Sequence, residues 1–304
     1  MKFLLFADLH HLPGVFMGGT YEDLDLFCRR AQETGCDFII HAGDFCHGPS
    51  TVPDYVKAYN DLPIPTYHCL GNHDTDRTPF EETIKAYNMP DDHYYFDVDG
   101  CRMIVLSTNY FLKDGQYIRY SGPNYHKISI YNRDYISPEQ IEWLEEAIAS
   151  SPYPCVLISH ASVERRICCV PNRDEVLRVI NEANKRKPHS VLMYINGHYH
   201  TDFIRILDGV CYFDMNSAAY CYRPNVHHLY PAELEKQYAD IAHTINYNDP
   251  LHAIVTVEGT TITIEGMESS PFMGITNEMT DNPIVDDDGR PVTFRVQSAK
   301  ITLG

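Results

Sequence analysis

The chain has 304 residues, 44% hydrophobic and 22% charged, a globular balance with no apolar run near the ~18 residues a membrane helix needs. Its 42 acidic and 24 basic residues give a formal charge of −18, which repels polyphosphate backbones and argues against a polymeric nucleic acid partner. A small phosphate ester stays compatible, because bound cations reverse the local field.

The first apolar run, Lys2–Ala7, stops at Asp8. That is short of the roughly 7–15 residues of a signal-peptide core, so it reads as a strand in a cytoplasmic protein. Further strand-like runs follow at Phe38–Ala42, Thr66–Leu70, Arg102–Ser107, Cys155–Ser159 and Val191–Asn196. Helical patterns lie between several of them. Leu24, Phe27, Cys28 and Ala31 mark one buried face. Thr78, Pro79 and Glu81 predict a capping box. Ser137, Pro138 and Gln140 predict another, with Ile136 stapled to Ile141 and a core face of Ile141, Leu144 and Ile148. A fourth helix is expected from Asp174 to about Arg186.

Strands alternating with helices imply α/β architecture. Beyond residue 200 the texture turns to paired strands: Phe203–Ile206, Val210–Asp214, Ala253–Val257 and Thr261–Glu265. A helix is expected near Ala232–His243, and a last strand near Pro291–Val296. The ten cysteines form no C-x-x-C pair and read as reduced, mostly buried thiols.

Sixteen histidines call for a chemical reason. Five short clusters stand out, four of them directly after a predicted strand: Asp8-Leu9-His10, Gly43-Asp44, Gly71-Asn72-His73-Asp74, Ser159-His160 and Gly197-His198-Tyr199-His200. Strand ends in an α/β sheet are where loops converge on a site. Asp8 and His10, like His198 and His200, would project from one side of an extended segment. Glycine before Asp44, Asn72 and His198 permits close backbone approach. The mixture of carboxylate, amide oxygen and imidazole suits Mn, Fe, Zn or Ni. Asp8, His10, Asp44, Asn72, His160, His198 and His200 are too many for one tetrahedral ion. They predict a pair of divalent or transition-metal ions bridged by one carboxylate, able to hold a hydroxide and clamp phosphoryl oxygens.

The ordered series D-x-H, GD, GNHD, SH and GHxH over Asp8–His200 resembles the calcineurin-like metallophosphoesterases. The resemblance implies two mixed β-sheets packed as a sandwich flanked by helices. It implies a first metal on Asp8, His10, Asp44 and His200. Asp44 would bridge to a second, completed by Asn72, His160 and His198. His73 would contact the phosphate and protonate the leaving group. Where many members continue as GDxxD, this chain has Gly43-Asp44-Phe45-Cys46-His47, so the partner orienting His73 is open, with Asp74 or His47 as candidates. Because the ligands span both parts, residues 1–265 read as one catalytic domain and 266–304 as an extension packed on it.

Weighed singly, His41, His47, His68, His126 and His189 read as structural, and His11 as a surface residue. The tyrosine-rich stretches Tyr110–Tyr135 and Tyr220–Tyr247 divide evenly between a pocket rim and surface packing. Arg165 and Arg166 read as solvated charges rather than a phosphate clamp. The resulting expectation is a hydrolase for small phosphodiesters or phosphomonoesters, cyclic nucleotides and nucleotide-type esters included. The alternatives are a phosphoprotein phosphatase, for which no basic groove is evident, and a non-catalytic scaffold, which predicts lost ligands where none is lost.

Overall fold

The computed structural model describes residues 1–122, 125–223 and 226–304. One sheet runs in the order β17 (Ala299–Thr302), β16 (Thr261–Glu265), β15 (Ala253–Glu258), β1 (Lys2–Phe6), β2 (Phe38–His41) and β3 (Thr66–His68). Strands β1, β2 and β3 are parallel, and β15, β16 and β17 add antiparallel beside β1. The second sheet runs β11 (Phe203–Leu207), β12 (Val210–Asp214), β10 (Val191–Asn196), β9 (Cys155–Ile158), β5 (Cys101–Val105) and β4 (Tyr94–Val98). Its four inner strands are parallel and its two edges antiparallel.

Alternation along the strands separates two apolar layers. Met103, Val105, Val156, Ile158, Met193 and Ile195 join the core shared with Phe3, Leu5 and Ile40 of the first sheet. Their neighbours Ile104, Leu157 and Tyr194 face a second core made with α4 (Pro138–Ala149) and α5 (Arg173–Arg186). Strands buried on both faces read as continuous apolar runs, which is why those sequences lack a two-residue alternation. On the first sheet lie α1 (Tyr21–Thr34), which buries Leu24, Phe27, Cys28 and Ala31 as expected, and α2 (Pro53–Asn60). The fold is thus the expected sandwich of two mixed sheets between helices.

Several local expectations change. Thr78 caps no helix: its Oγ1 serves Ser50, and α3 (Phe80–Ala86) starts behind Pro79. Ser137 does cap α4, but the Gln140 side chain leaves the box to pair with both backbone groups of Ser107. The helix near residue 232 is short, α6 (Ala232–Gln237), with a separate 3-10 turn at Ile241–His243. Pro291–Val296 forms isolated bridges only, and the last strand is β17. Two small sheets complete the described chain: β6 (Tyr110–Lys113), β7 (Gln116–Arg119) and β8 (Arg133–Tyr135), and the pair β13 (Tyr220–Tyr222) with β14 (Thr244–Asn246).

The ten cysteines are free. Among the described residues no helix is long and apolar enough to cross a membrane.

Candidate metal centre

The C-terminal ends of β1, β2, β3, β9 and β10 open on one edge of the sandwich, and the five motif loops meet there. The approach is tight. A Cβ on Gly71 would lie 2.1 Å from Asp44 Oδ1, one on Gly197 2.6 Å from Asp8 Oδ2, and one on Gly43 2.3 Å from His160 Nδ1. Only glycine lets these backbones come so close.

The ligand residues themselves are not extended. Asp8, His10, Asp44, His198 and His200 all have φ between +51° and +76°, a left-handed region that costs a side-chain-bearing residue about 1–2 kcal/mol. The expected same-side projection from an extended strand is therefore replaced by a turn at each ligand. Surrounding hydrogen bonds enforce the turns: Asp8 N–H donates to Gly43 O and His10 N–H to Asp44 O. His198 N–H donates to both Asp8 carboxylate oxygens, at 3.1 and 2.9 Å.

Two groups of ligand atoms result. Asp8, His10 and His200 converge on one point, and Asp44, His160 and His198 on another. Asp44 lies between them, its Oδ2 3.1 Å from His160 Nε2 and 3.8 Å from His10 Nε2. Asn72 is buried beside them, and its Oδ1 has no hydrogen-bond donor. Six of the seven predicted ligands thus fall into the two groups, and Asn72 directly precedes His73, whose N–H donates to Asp44 Oδ1.

Hydrogen bonds fix which imidazole nitrogens point inward. His160 Nδ1 gives its proton to Ala42 O and His200 Nδ1 to Tyr220 O, each at 2.8 Å. The Nε2 lone pairs of both therefore face the centre. His200 Nε2 lies only 3.2 Å from His10 Nε2, and His160 Nε2 3.0 Å from His198 Nδ1. Converging lone pairs, two carboxylates and an orphaned buried amide oxygen form a donor set suited to cations. The field has the same sign. Although burial opposes its charge, Asp44 and then Asp8 raise His160 to about 10. Burial dominates at His10 and His198 and keeps both well below the usual range. The residues fit a pair of N/O-ligated transition-metal ions.

His73 stands at the edge of this set, its ring 5.2 Å from that of His10. Its Nδ1 lies 2.5 Å from Asp76 Oδ2, so Nε2 is the free nitrogen. Burial works against protonation of His73, but Asp44 and Asp76 outweigh it and raise its pKa. The orienting carboxylate is thus Asp76, which no motif marked. Asp74 does not fill that place. Its oxygens accept from Gly71 N, Asp44 N, Cys46 N and Tyr87 Oη, so it ties two motif loops together. Burial and the neighbouring Asp44 raise Asp74 to about 7.

Other solitary residues also differ from expectation. His47 belongs to the site, with Nε2 3.1 Å from His10 Nδ1 and Nδ1 3.5 Å from Asp76 Oδ2. His126 is exposed, but its ring lies 5.6 Å from that of His73. His11 is not on the surface; it stacks on Tyr55 at 3.6 Å. Arg165 is buried rather than solvated. It pairs with Asp214 and Asp286 and stacks 3.8 Å over Tyr199, whereas Arg166 is exposed beside Asp288. Both tyrosine-rich stretches reach the site, through Tyr125 beside His198 and through Tyr220 and Tyr222 beside His200. Residues 123, 124, 224 and 225 of those stretches lie outside the described residues.

A family model described as calcineurin-like phosphoesterase matches residues 1–202. Among curated proteins there is no match. Among solved structures, the chain resembles a dimetal phosphatase from Danio rerio at 14% identity and a TM-score of 0.61, covering 100% of this chain and 99% of that one. It also resembles the anchor protein of the inner membrane complex of Plasmodium at 13% identity and a TM-score of 0.56, covering 100% and 89%. At these identities the likeness speaks to the fold alone.

Proposed function

This chain belongs to the calcineurin-like phosphoesterase family, and we propose that it hydrolyses small phosphate mono- or diesters using two divalent or transition-metal ions. The observation that carries the reading is the shared position of Asp44 between two ligand groups, beside an Asn72 oxygen with no donor. Asp8, His10, Asp44 and His200 would hold the first ion; Asp44, Asn72, His160 and His198 would hold the second. Such a pair supplies positive charge for the phosphoryl oxygens and a deprotonated water at neutral pH.

The chain's own groups do the rest. His73 carries the proton for the leaving oxygen on Nε2, while Asp76 holds its Nδ1 and favours the charged ring. His47 joins Asp76 to His10, so the acid and a first-ion ligand are braced against each other. Asp8 locks the His198 turn through two backbone contacts. The charge of −18 favours a compact ester over a nucleic acid strand, and the tyrosines around His200 offer apolar surface to its organic part.

The test is hydrolysis after reconstitution with Mn, Fe, Zn or Ni, comparing an aryl phosphate monoester, an aryl diester and cyclic nucleotides. Metal-dependent turnover of at least one class is expected. No metal-dependent turnover of any class with any of the four metals contradicts the proposal.

A further inference from the structure

Resting on the proposed metal pair, we infer that Tyr125 is a positioning residue for the second ion. Acting with Asp134, it selects the His198 tautomer whose Nδ1 is free to bind metal.

His198 points its Nδ1 toward His160 and Asp44, and its Nε2 lies 3.0 Å from Tyr125 Oη. A metal-binding Nδ1 needs its lone pair, so the single proton of the neutral ring must sit on Nε2. His160 Nε2, 3.0 Å from Nδ1, and Tyr125 Oη, 3.0 Å from Nε2, bear on that choice from the two sides of the ring. If the tyrosine hydroxyl donated to Nε2, the imidazole proton would move to Nδ1 and close the ligand position. Asp134 decides the direction. Its Oδ2 lies 3.3 Å from Tyr125 Oη, and as a carboxylate it takes the hydroxyl proton. Tyr125 Oη is then left to accept from His198 Nε2–H.

Asp134 is itself held. Tyr120 Oη donates to its Oδ1 at 3.0 Å and accepts its backbone N–H at 2.7 Å. The Arg133 guanidinium lies 3.9 Å over the Tyr125 ring. Tyr120, Tyr125, Arg133 and Asp134 all lie within or beside the β6–β8 sheet, apart from the strands that deliver the seven ligands. Tyr125 is also buried, at 4% exposure, which strengthens its hydrogen bonds to both partners. One peripheral sheet therefore acts on one ion and leaves the ligands of the other untouched.

The experiment titrates metal-free full-length protein with Mn or Zn by calorimetry, for the wild type, Tyr125→Phe and Asp134→Asn. In Tyr125→Phe the second binding step should weaken by about 10–100-fold, the usual cost of losing an outer hydrogen-bond partner. The first step and the metal-free Tm should be unchanged. Long-range 1H–15N spectra of the metal-free protein should show His198 as the Nε2–H form in the wild type and as a mixture in the variant. Asp134→Asn keeps the left-handed φ of +65° that asparagine tolerates, and should shift both readouts the same way, because the hydroxyl is no longer held to a carboxylate. Unchanged affinities, or equal weakening of both steps with a lowered metal-free Tm, would overturn the inference. A wild type that fails to take two ions contradicts the metal pair itself, and the unmutated arm reveals it.

Discussion

The backbone N–H of His73 donates to Asp44 Oδ1 at 2.8 Å. One oxygen of Asp44 thus anchors the turn that carries the proposed acid, while the other, Oδ2, faces His160 and His10. A single carboxylate ties the position of His73 to both ligand groups.

Asp44→Asn should therefore weaken both ions together, by at least the 10–100-fold seen when a supporting partner is lost. Its amide still fills the space, and its oxygen can still accept from His73 N–H. Metal content after dialysis against a weak chelator should fall toward zero, and the metal-free Tm should fall as well, because buried His160 loses the carboxylate that favours its charge. Retention of one ion at wild-type affinity would show that Asp44 is not shared.

His73→Ala removes no ligand of either group, so both ions should stay. Turnover of alkyl esters should drop by roughly 10²–10⁴-fold, the range for a positioned general acid. Nitrophenyl esters, whose leaving group needs little protonation, should lose distinctly less. Asp76→Asn should follow the same pattern more mildly, since it leaves the imidazole but removes the carboxylate on Nδ1. Equal losses for good and poor leaving groups would move His73 from proton donor to loop brace.

Gly71→Ala tests the packing of the loops. The added Cβ would sit 2.1 Å from Asp44 Oδ1 and 2.2 Å from Asp44 N, so one loop must move. A loss of roughly 1–3 kcal/mol of stability, typical of overpacking, should accompany loss of metal in elemental analysis. An alanine variant with normal metal content would mean the loops part freely.

His41 and His68 govern acid stability. Gly43 N–H donates to His41 Nδ1, leaving His41 Nε2–H for His68 Nδ1 at 2.7 Å and His68 Nε2–H for Asn60 Oδ1 at 2.8 Å. The chain is complete only with both rings neutral. Burial first, and then the charge of His160, lowers His41 to about 3; burial and His41 lower His68 well below its usual value. In the unfolded chain each ring titrates near 6.5. Between that pH and about 3 the unfolded state binds the extra protons, so the contribution of the two rings to stability falls as pH drops. Each ring contributes up to about 1.4 kcal/mol per pH unit. Denaturant unfolding of metal-free His68→Gln should show lower stability at pH 7.5 but a shallower decline from pH 6 to 4.5. Parallel declines in variant and wild type would contradict this account.

The seven candidate ligands stood out because their five clusters lie at strand ends and three of them, Asp44, Asn72 and His198, follow a glycine whose missing Cβ the structure uses. What escaped lacked such a frame. Asp76 stood two residues beyond the GNHD cluster, where only its return to His73 Nδ1 gives it a role. His47 looked like a lone histidine because its partners, His10 and Asp76, lie on two other loops. The left-handed backbone at Asp8, His10 and Asp44 could not be placed from residue type alone, since tertiary hydrogen bonds rather than glycine impose it. Arg165 read as solvated because Asp214 and Asp286, which bury it, are distant in sequence. The β6–β8 sheet hid in a tyrosine-rich stretch with no clear alternation, although it brings Tyr125 to His198.

The most direct test is to measure nitrophenyl phosphate ester hydrolysis while metal-free protein takes up counted equivalents of Mn. Two ligand groups sharing Asp44 predict uptake of two ions per chain, with turnover rising mainly as the second binds and levelling off once both are in place. Turnover that saturates at one equivalent, or a chain that never takes up a second, would contradict the two-ion account.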